Sequence, residues 1–92
     1  MKSARAHVLI SGSVHGVGMR SKVSNTAKGL KLGGWVRNLE SGEVEAVFEG
    51  SEENVRKMVE WCKASHGSAE VIDVNAVFED YSEGLTDFRI VD

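Results

Sequence analysis

The stretch Ala6-His7-Val8-Leu9-Ile10-Ser11-Gly12-Ser13-Val14-His15-Gly16-Val17-Gly18-Met19-Arg20 decides how the fold is read. Ala6, Val8 and Ile10 alternate with His7, Leu9 and Ser11, and both faces are apolar except at His7 and Ser11. That pattern predicts an inner strand covered on one side. Glycines at 12, 16 and 18 then make Gly12–Met19 a loop. Met19, Val23, Ala27 and Leu30 fall four, four and three apart, one apolar stripe of a helix from about Arg20 to Lys31.

Working outward, Trp35, Val36 and Leu39 read as a strand ending near Glu40, and Ser41-Gly42 as a hairpin turn. Glu43–Glu49 is the return strand, with Val44, Ala46 and Phe48 on one face. Ser51 is a good N-cap, with Glu52 and Glu53 favourable in the first turn of a second helix. Val55, Met58, Val59 and Cys62 give that helix its apolar stripe, and Gly67 is placed to stop it. Met19, Met58 and Cys62 read as core, and Trp61, off the stripe, as a cover for the sheet edge. A strand over Glu70–Glu79 and a short one at Phe88 and Ile90 complete the chain. The order β-α-β-β-α-β with a small terminal strand predicts an α+β, ferredoxin-like split βαβ sandwich. Its sheet is expected to be antiparallel, with both helices on one face.

Ninety-two residues make one domain, expected over 1–92. With 41% hydrophobic and 27% charged residues, the composition is that of a globular chain and not a disordered one. No apolar run is long enough to span a membrane, and the first residues lack the apolar stretch of a signal peptide, so the expected location is the cytoplasm. Cys62, alone, forms no internal disulfide, and His7, His15 and His66 show no metal-binding spacing. Neither a metal nor another cofactor is expected. Residues 1–37 hold seven Lys and Arg and no acid, whereas 38–92 hold four basic and fourteen acidic residues. Either the N-terminal part handles an anion, or the two parts interleave and their fields cancel.

The loop before the first helix admits two readings. Successive backbone N–H groups bent at glycines can form a nest for an anion, backed by the helix N-terminus and by the planar guanidinium of Arg20. Alternatively, it is a structural turn. The loop is neither a Walker A sequence nor a dinucleotide fingerprint. Asn38, an amide among apolar neighbours in a strand, needs either a backbone partner in the following turn or a ligand.

Gly12-Ser13-Val14-His15-Gly16-Val17-Gly18-Met19-Arg20 resembles the acylphosphatase signature G-x-V-Q-G-V-G-F-R, and Gly34-Trp35-Val36-Arg37-Asn38 resembles that family's G-W-V-R-N. Gly42–Gly50, the helix with Val55 and Trp61, the Ala69–Val74 stretch and Phe88-Arg89-Ile90 extend the resemblance over nearly the whole chain. His15 stands for the usual Gln, Met19 for Phe, Lys31 for a helix-ending Gly, and Gly67-Ser68 for Pro-Pro. The resemblance implies a ferredoxin-like enzyme that hydrolyses small acyl phosphates to carboxylate and inorganic phosphate. By the same resemblance, His15, Gly16, Val17, Gly18, Met19 and Arg20 hold the phosphoryl group, and Asn38 positions the attacking water.

No paired base accompanies Ser13 or Cys62, so direct attack by water is the simpler chemistry. The competing class is a non-enzymatic module that binds nucleic acid or another anion on the sheet. An RNA-binding sheet needs exposed aromatics on central strands. Here Tyr81 falls outside those strands, and Phe48 and Phe78 are expected to face the core, so neither nucleic acid nor membrane is an expected partner. A monomer is the natural default.

Overall fold

The computed structural model describes residues 2–14, 18–64, 70–81 and 84–91. The alternating N-terminal stretch forms β1 (Ser3–Ser13), and the stripe that follows forms α1 (Met19–Gly29). β2 (Gly33–Asn38) and β3 (Val44–Ser51) make the expected hairpin, with Asn38 opposite Val44. Then come α2 (Glu52–Cys62), β4 (Glu70–Glu79) and β5 (Phe88–Ile90).

The sheet order is β4-β1-β3-β2-β5. β1 pairs antiparallel with β3 and β4, and β2 antiparallel with β3. β5, however, lies parallel to β2, so the sheet is mixed and not wholly antiparallel. Chain direction explains this. β4 runs against β1 and therefore against β2, so the chain leaves β4 at the end of the sheet where β2 begins. A strand that then pairs with the outer edge of β2 must run the same way as β2.

Period-2 alternation sends Ala6, Val8 and Ile10 of β1, Val36 of β2 and Ala46 and Phe48 of β3 to one face. There they form one buried cluster with Val23 and Ala27 of α1 and Val55, Met58 and Cys62 of α2. Phe88 carries this core to β5, its ring stacked on Phe48 with centroids 5.5 Å apart. Gly34 permits the close packing of β2 on β3: its φ is 138°, and a Cβ there would collide with the Val47 carbonyl.

One expectation needs correction. Phe78 pairs with Ala6 and shares its register, yet it is 42% exposed. β4 is an edge strand, and over it α2 sets the guanidinium of Arg56, 4.9 Å from the Phe78 ring centroid. α2 ends at Cys62, where Lys63 N–H and Ala64 N–H bond the carbonyls of Glu60 and Trp61 and tighten the last turn. The proposed stop at Gly67, with Ser68 and His66, lies outside the described residues. Trp61 is half-buried and packs against the core.

α1 ends with a lysine, Lys31, and not a glycine at the left-handed position. Leu32 N–H bonds the Ala27 carbonyl and Lys31 N–H the Lys28 carbonyl, both at 3.0 Å. This is a Schellman closure whose left-handed residue is Lys31, at φ 58°. The Asn54 side chain of α2 donates to the Leu30 carbonyl at 2.9 Å and closes the same end.

Candidate active site at the start of the first helix

α1 starts at Gly18, which takes the left-handed conformation at φ 74° and ψ 19°. A Cβ at Gly18 would meet nothing within 4 Å, so backbone conformation and not space favours glycine there. Among the described residues no side chain caps this end, and no acid lies in its first turn. The first helical bond runs from Lys22 N–H to the Gly18 carbonyl at 3.0 Å, so the amides of Met19, Arg20 and Ser21 precede the helical ladder. Such an end carries a partial positive charge.

Asn38 ends β2 on the same face as Val36, next to that helix start. Its Oδ1 is buried and has no hydrogen-bond partner among the described residues. The following turn closes without it, through Leu39 N–H to the Glu43 carbonyl at 2.8 Å and Gly42 N–H to the Leu39 carbonyl at 3.1 Å. An orphaned buried carbonyl costs about 1–3 kcal/mol, so its retention calls for a reason.

Arg37, one residue earlier, points to the other face of the sheet. Its Nε donates to Glu45 Oε1 at 2.6 Å and its guanidinium lies 5.5 Å from the Trp35 ring centroid. His7 Nε2 is 2.7 Å from the second oxygen of Glu45. Burial pushes the Glu45 carboxyl up, but the hydrogen bonds from His7 and Arg37 outweigh it and hold it below the ordinary carboxylate range. Arg37 is thus part of an ion-paired patch away from Asn38.

Arg20 and Asn38 line one cavity of about 130 Å³. Val14 and Met19 form its apolar interior, and Gly18, Ser21 and Ile90 its rim. Of the residues expected to hold phosphate, Gly18, Met19 and Arg20 therefore meet Asn38, and Met19 contributes a buried side chain beneath the site. His15, Gly16 and Val17 lie outside the described residues. Ser21 and Ile90 were not singled out from the sequence; only the shared register of Phe88 and Ile90 hinted that Ile90 faces the helices.

The other clefts lack this convergence. One of about 600 Å³ lies between α2 and β4, with Arg56, Lys63, Glu60 and Asp73 giving it both signs of charge. No group of three or more His, Cys, Asp or Glu able to hold a metal occurs among the described residues. Cys62 is fully buried on the α2 stripe, and burial pushes its thiol up to about 12, which rules out a thiolate nucleophile at neutral pH.

The family model for Acylphosphatase matches residues 6–90. The chain belongs to the acylphosphatase family. It is 47% identical over 90 residues to an acylphosphatase of Syntrophobacter fumaroxidans, covering 98% of this chain and 93% of that protein. Identity to an acylphosphatase of Roseiflexus sp. is 54% over 76 residues, 80% of this chain and 82% of that one. The crystal structure of acylphosphatase from Bacillus subtilis superposes with a TM-score of 0.92 at 34% identity, covering 97% of this chain and 99% of that one. The fold is thus the α+β acylphosphatase sandwich and the protein an acylphosphatase-type hydrolase, a family whose substrates are small acyl phosphates.

Proposed function

We propose that the start of α1 and the guanidinium of Arg20 hold the phosphoryl group of an acyl phosphate, and that Asn38 aims a water molecule at its phosphorus. The observation that carries this reading is the buried Oδ1 of Asn38, without a partner among the described residues, in the cavity that Arg20 also lines. An amide that accepts through Oδ1 and donates through Nδ2 can orient a water without titrating. His15, Gly16 and Val17 would supply further backbone donors.

The chemistry asks little more of the protein. The leaving group is a carboxylate, already a weak base, so no general acid is needed. Phosphoryl transfer passes through a loose transition state with charge spread over the equatorial oxygens, and catalysis reduces to positioning and electrostatics. A preorganised donor aimed at such charge contributes roughly 3–4 kcal/mol where it has been measured in other enzymes. Water forms the new P–O bond as the bond to the carboxylate oxygen breaks, and the water protons leave to solvent and phosphate. The reading is of a cytoplasmic, single-domain monomer that needs no metal and no nucleic-acid or membrane partner.

Steady-state hydrolysis of acetyl phosphate with inorganic phosphate as inhibitor tests it. Asn38→Ala should lower kcat by about two to three orders of magnitude, with phosphate inhibition within about threefold of wild type. Arg20→Lys keeps the charge but loses the fork, and should weaken phosphate inhibition about tenfold or more. Near-normal turnover in Asn38→Ala would sink the water-positioning role. Because this reading uses no general acid or base, wild-type kcat should be flat between about pH 5 and 8. An inflection abolished in His15→Gln would bring His15 into the chemistry instead.

A further inference from the structure

The walls of the catalytic cavity divide by exposure. Val14 and Met19 are each 1% exposed, whereas Gly18, Ser21 and Ile90 stand at the rim. Ile90 is the one large apolar side chain among the described rim residues, and it is 45% exposed. Its place follows from topology. β5 pairs with β2 so that Ile90 lies beside Val36, on the face that also carries Asn38, one strand further out. Phe88, in the same register, is 5% exposed. The strand thus alternates out to a residue that the core does not cover.

An acyl phosphate has one dianionic end and one carbon-bearing end. With the phosphoryl group against Arg20 and Asn38, the remainder of the molecule must leave across the rim. Among the described residues, the apolar surface it meets there is Ile90. The polar rim, Ser21 and the Gly18 backbone, offers an acyl chain nothing comparable.

We propose that Ile90 is the acyl-contact residue of this site and biases the enzyme towards phosphates of apolar, aromatic carboxylic acids over acetyl phosphate. The assignment rests on the phosphate-binding reading above and deepens it. Contact between a benzoyl ring and the exposed part of one Ile corresponds to a preference of about three- to tenfold, from the usual free energy of apolar burial.

The experiment compares kcat/KM for benzoyl and acetyl phosphate in wild type, Ile90→Leu and Ile90→Ala, with inorganic phosphate inhibition measured in each. Ile90→Ala should lower the benzoyl-to-acetyl ratio about three- to tenfold, and Ile90→Leu should restore most of it. Inhibition by inorganic phosphate, which has no acyl group, should stay within about twofold. An unchanged ratio in Ile90→Ala overturns the proposal. So does a loss of phosphate inhibition in step with the ratio, since Ile90 would then be supporting the phosphate cradle. Arg20→Lys, run alongside, separates the two readings. Intact phosphate inhibition in that variant would remove the phosphate site itself, a failure that Ile90→Ala alone would not produce.

Discussion

α2 begins at Ser51 in extended conformation, with its hydroxyl accepting the Asn54 N–H at 3.3 Å and with Glu52 and Glu53 in the first turn. α1 begins at a left-handed Gly18, with no side-chain cap among the described residues and no acid in its first turn. The two helices have the same length, 11 residues, and pack on the same sheet, yet among the described residues one start is capped by a side chain and the other is not. A capping hydroxyl or a carboxylate at α1 would take up or repel what an anion needs: outward amides and the positive end of the helix. Its far end is closed, by the Schellman bonds at Lys31 and by Asn54. A start uncapped by described side chains, beside Asn38 and Arg20 and opposite a closed end, is the arrangement that the proposed phosphate site needs.

Making the two starts alike should have the largest effect. Ser21→Glu places a carboxylate in the first turn of α1. At about 5 Å from a bound phosphoryl group the repulsion is about 1–3 kcal/mol, depending on the effective dielectric. We expect kcat/KM for acetyl phosphate to fall about tenfold or more, while phosphate-free thermal stability holds or rises by about 0.3–1 kcal/mol from the helix dipole. Undiminished kcat/KM would show that the start of α1 does not meet the phosphate.

Opening the closed start is the converse. Ser51→Ala removes the cap of α2 and should cost about 1 kcal/mol in urea unfolding. Turnover and phosphate inhibition should be unchanged, because Ser51 does not line the cavity. A kinetic defect in a fully folded Ser51→Ala protein would blur the distinction between the two starts.

The smallest effect concerns the closed end of α1. Lys31 adopts φ 58°, a conformation glycine takes without strain. Lys31→Gly should stabilise the protein by about 0.5–1 kcal/mol, relief of strain exceeding the added chain entropy of the unfolded state. Activity should not change. A loss of stability would mean that the Lys31 side chain contributes more to the helix end than its backbone costs.

Most of the element order was legible because strand and helix periodicities are local. Ala6, Val8 and Ile10 announce a strand whatever it pairs with, and Val55, Met58, Val59 and Cys62 a helix whatever it covers. Pairing was less legible. The parallel placement of β5 depends on where a strand of three residues finds a free edge. Phe78 has a core-facing register, but its exposure depends on how far α2 reaches across β4. In the site, the motifs brought Arg20 and Asn38 to attention. That the Asn38 carbonyl lacks a partner among the described residues, that the adjacent Arg37 faces away, and that Ile90 joins the rim are facts of packing.

Charge shows the same division. By itself the sequence determined that residues 1–37 carry all but four of the Lys and Arg and none of the acids. Only the tertiary structure decided which of those cations are neutralised. Lys2 pairs with Glu52, Arg5 with Glu49 and Glu79, and Arg37 with Glu45, at 2.6 to 3.4 Å. β1 lies between β3 and β4, and so sets its basic residues against the acids of the second part. Composition and periodicity are properties of neighbouring residues, carried by the covalent chain. An ion pair such as Arg5–Glu79 joins residues 74 positions apart, and forms only once the sheet has brought the two strands within reach of each other.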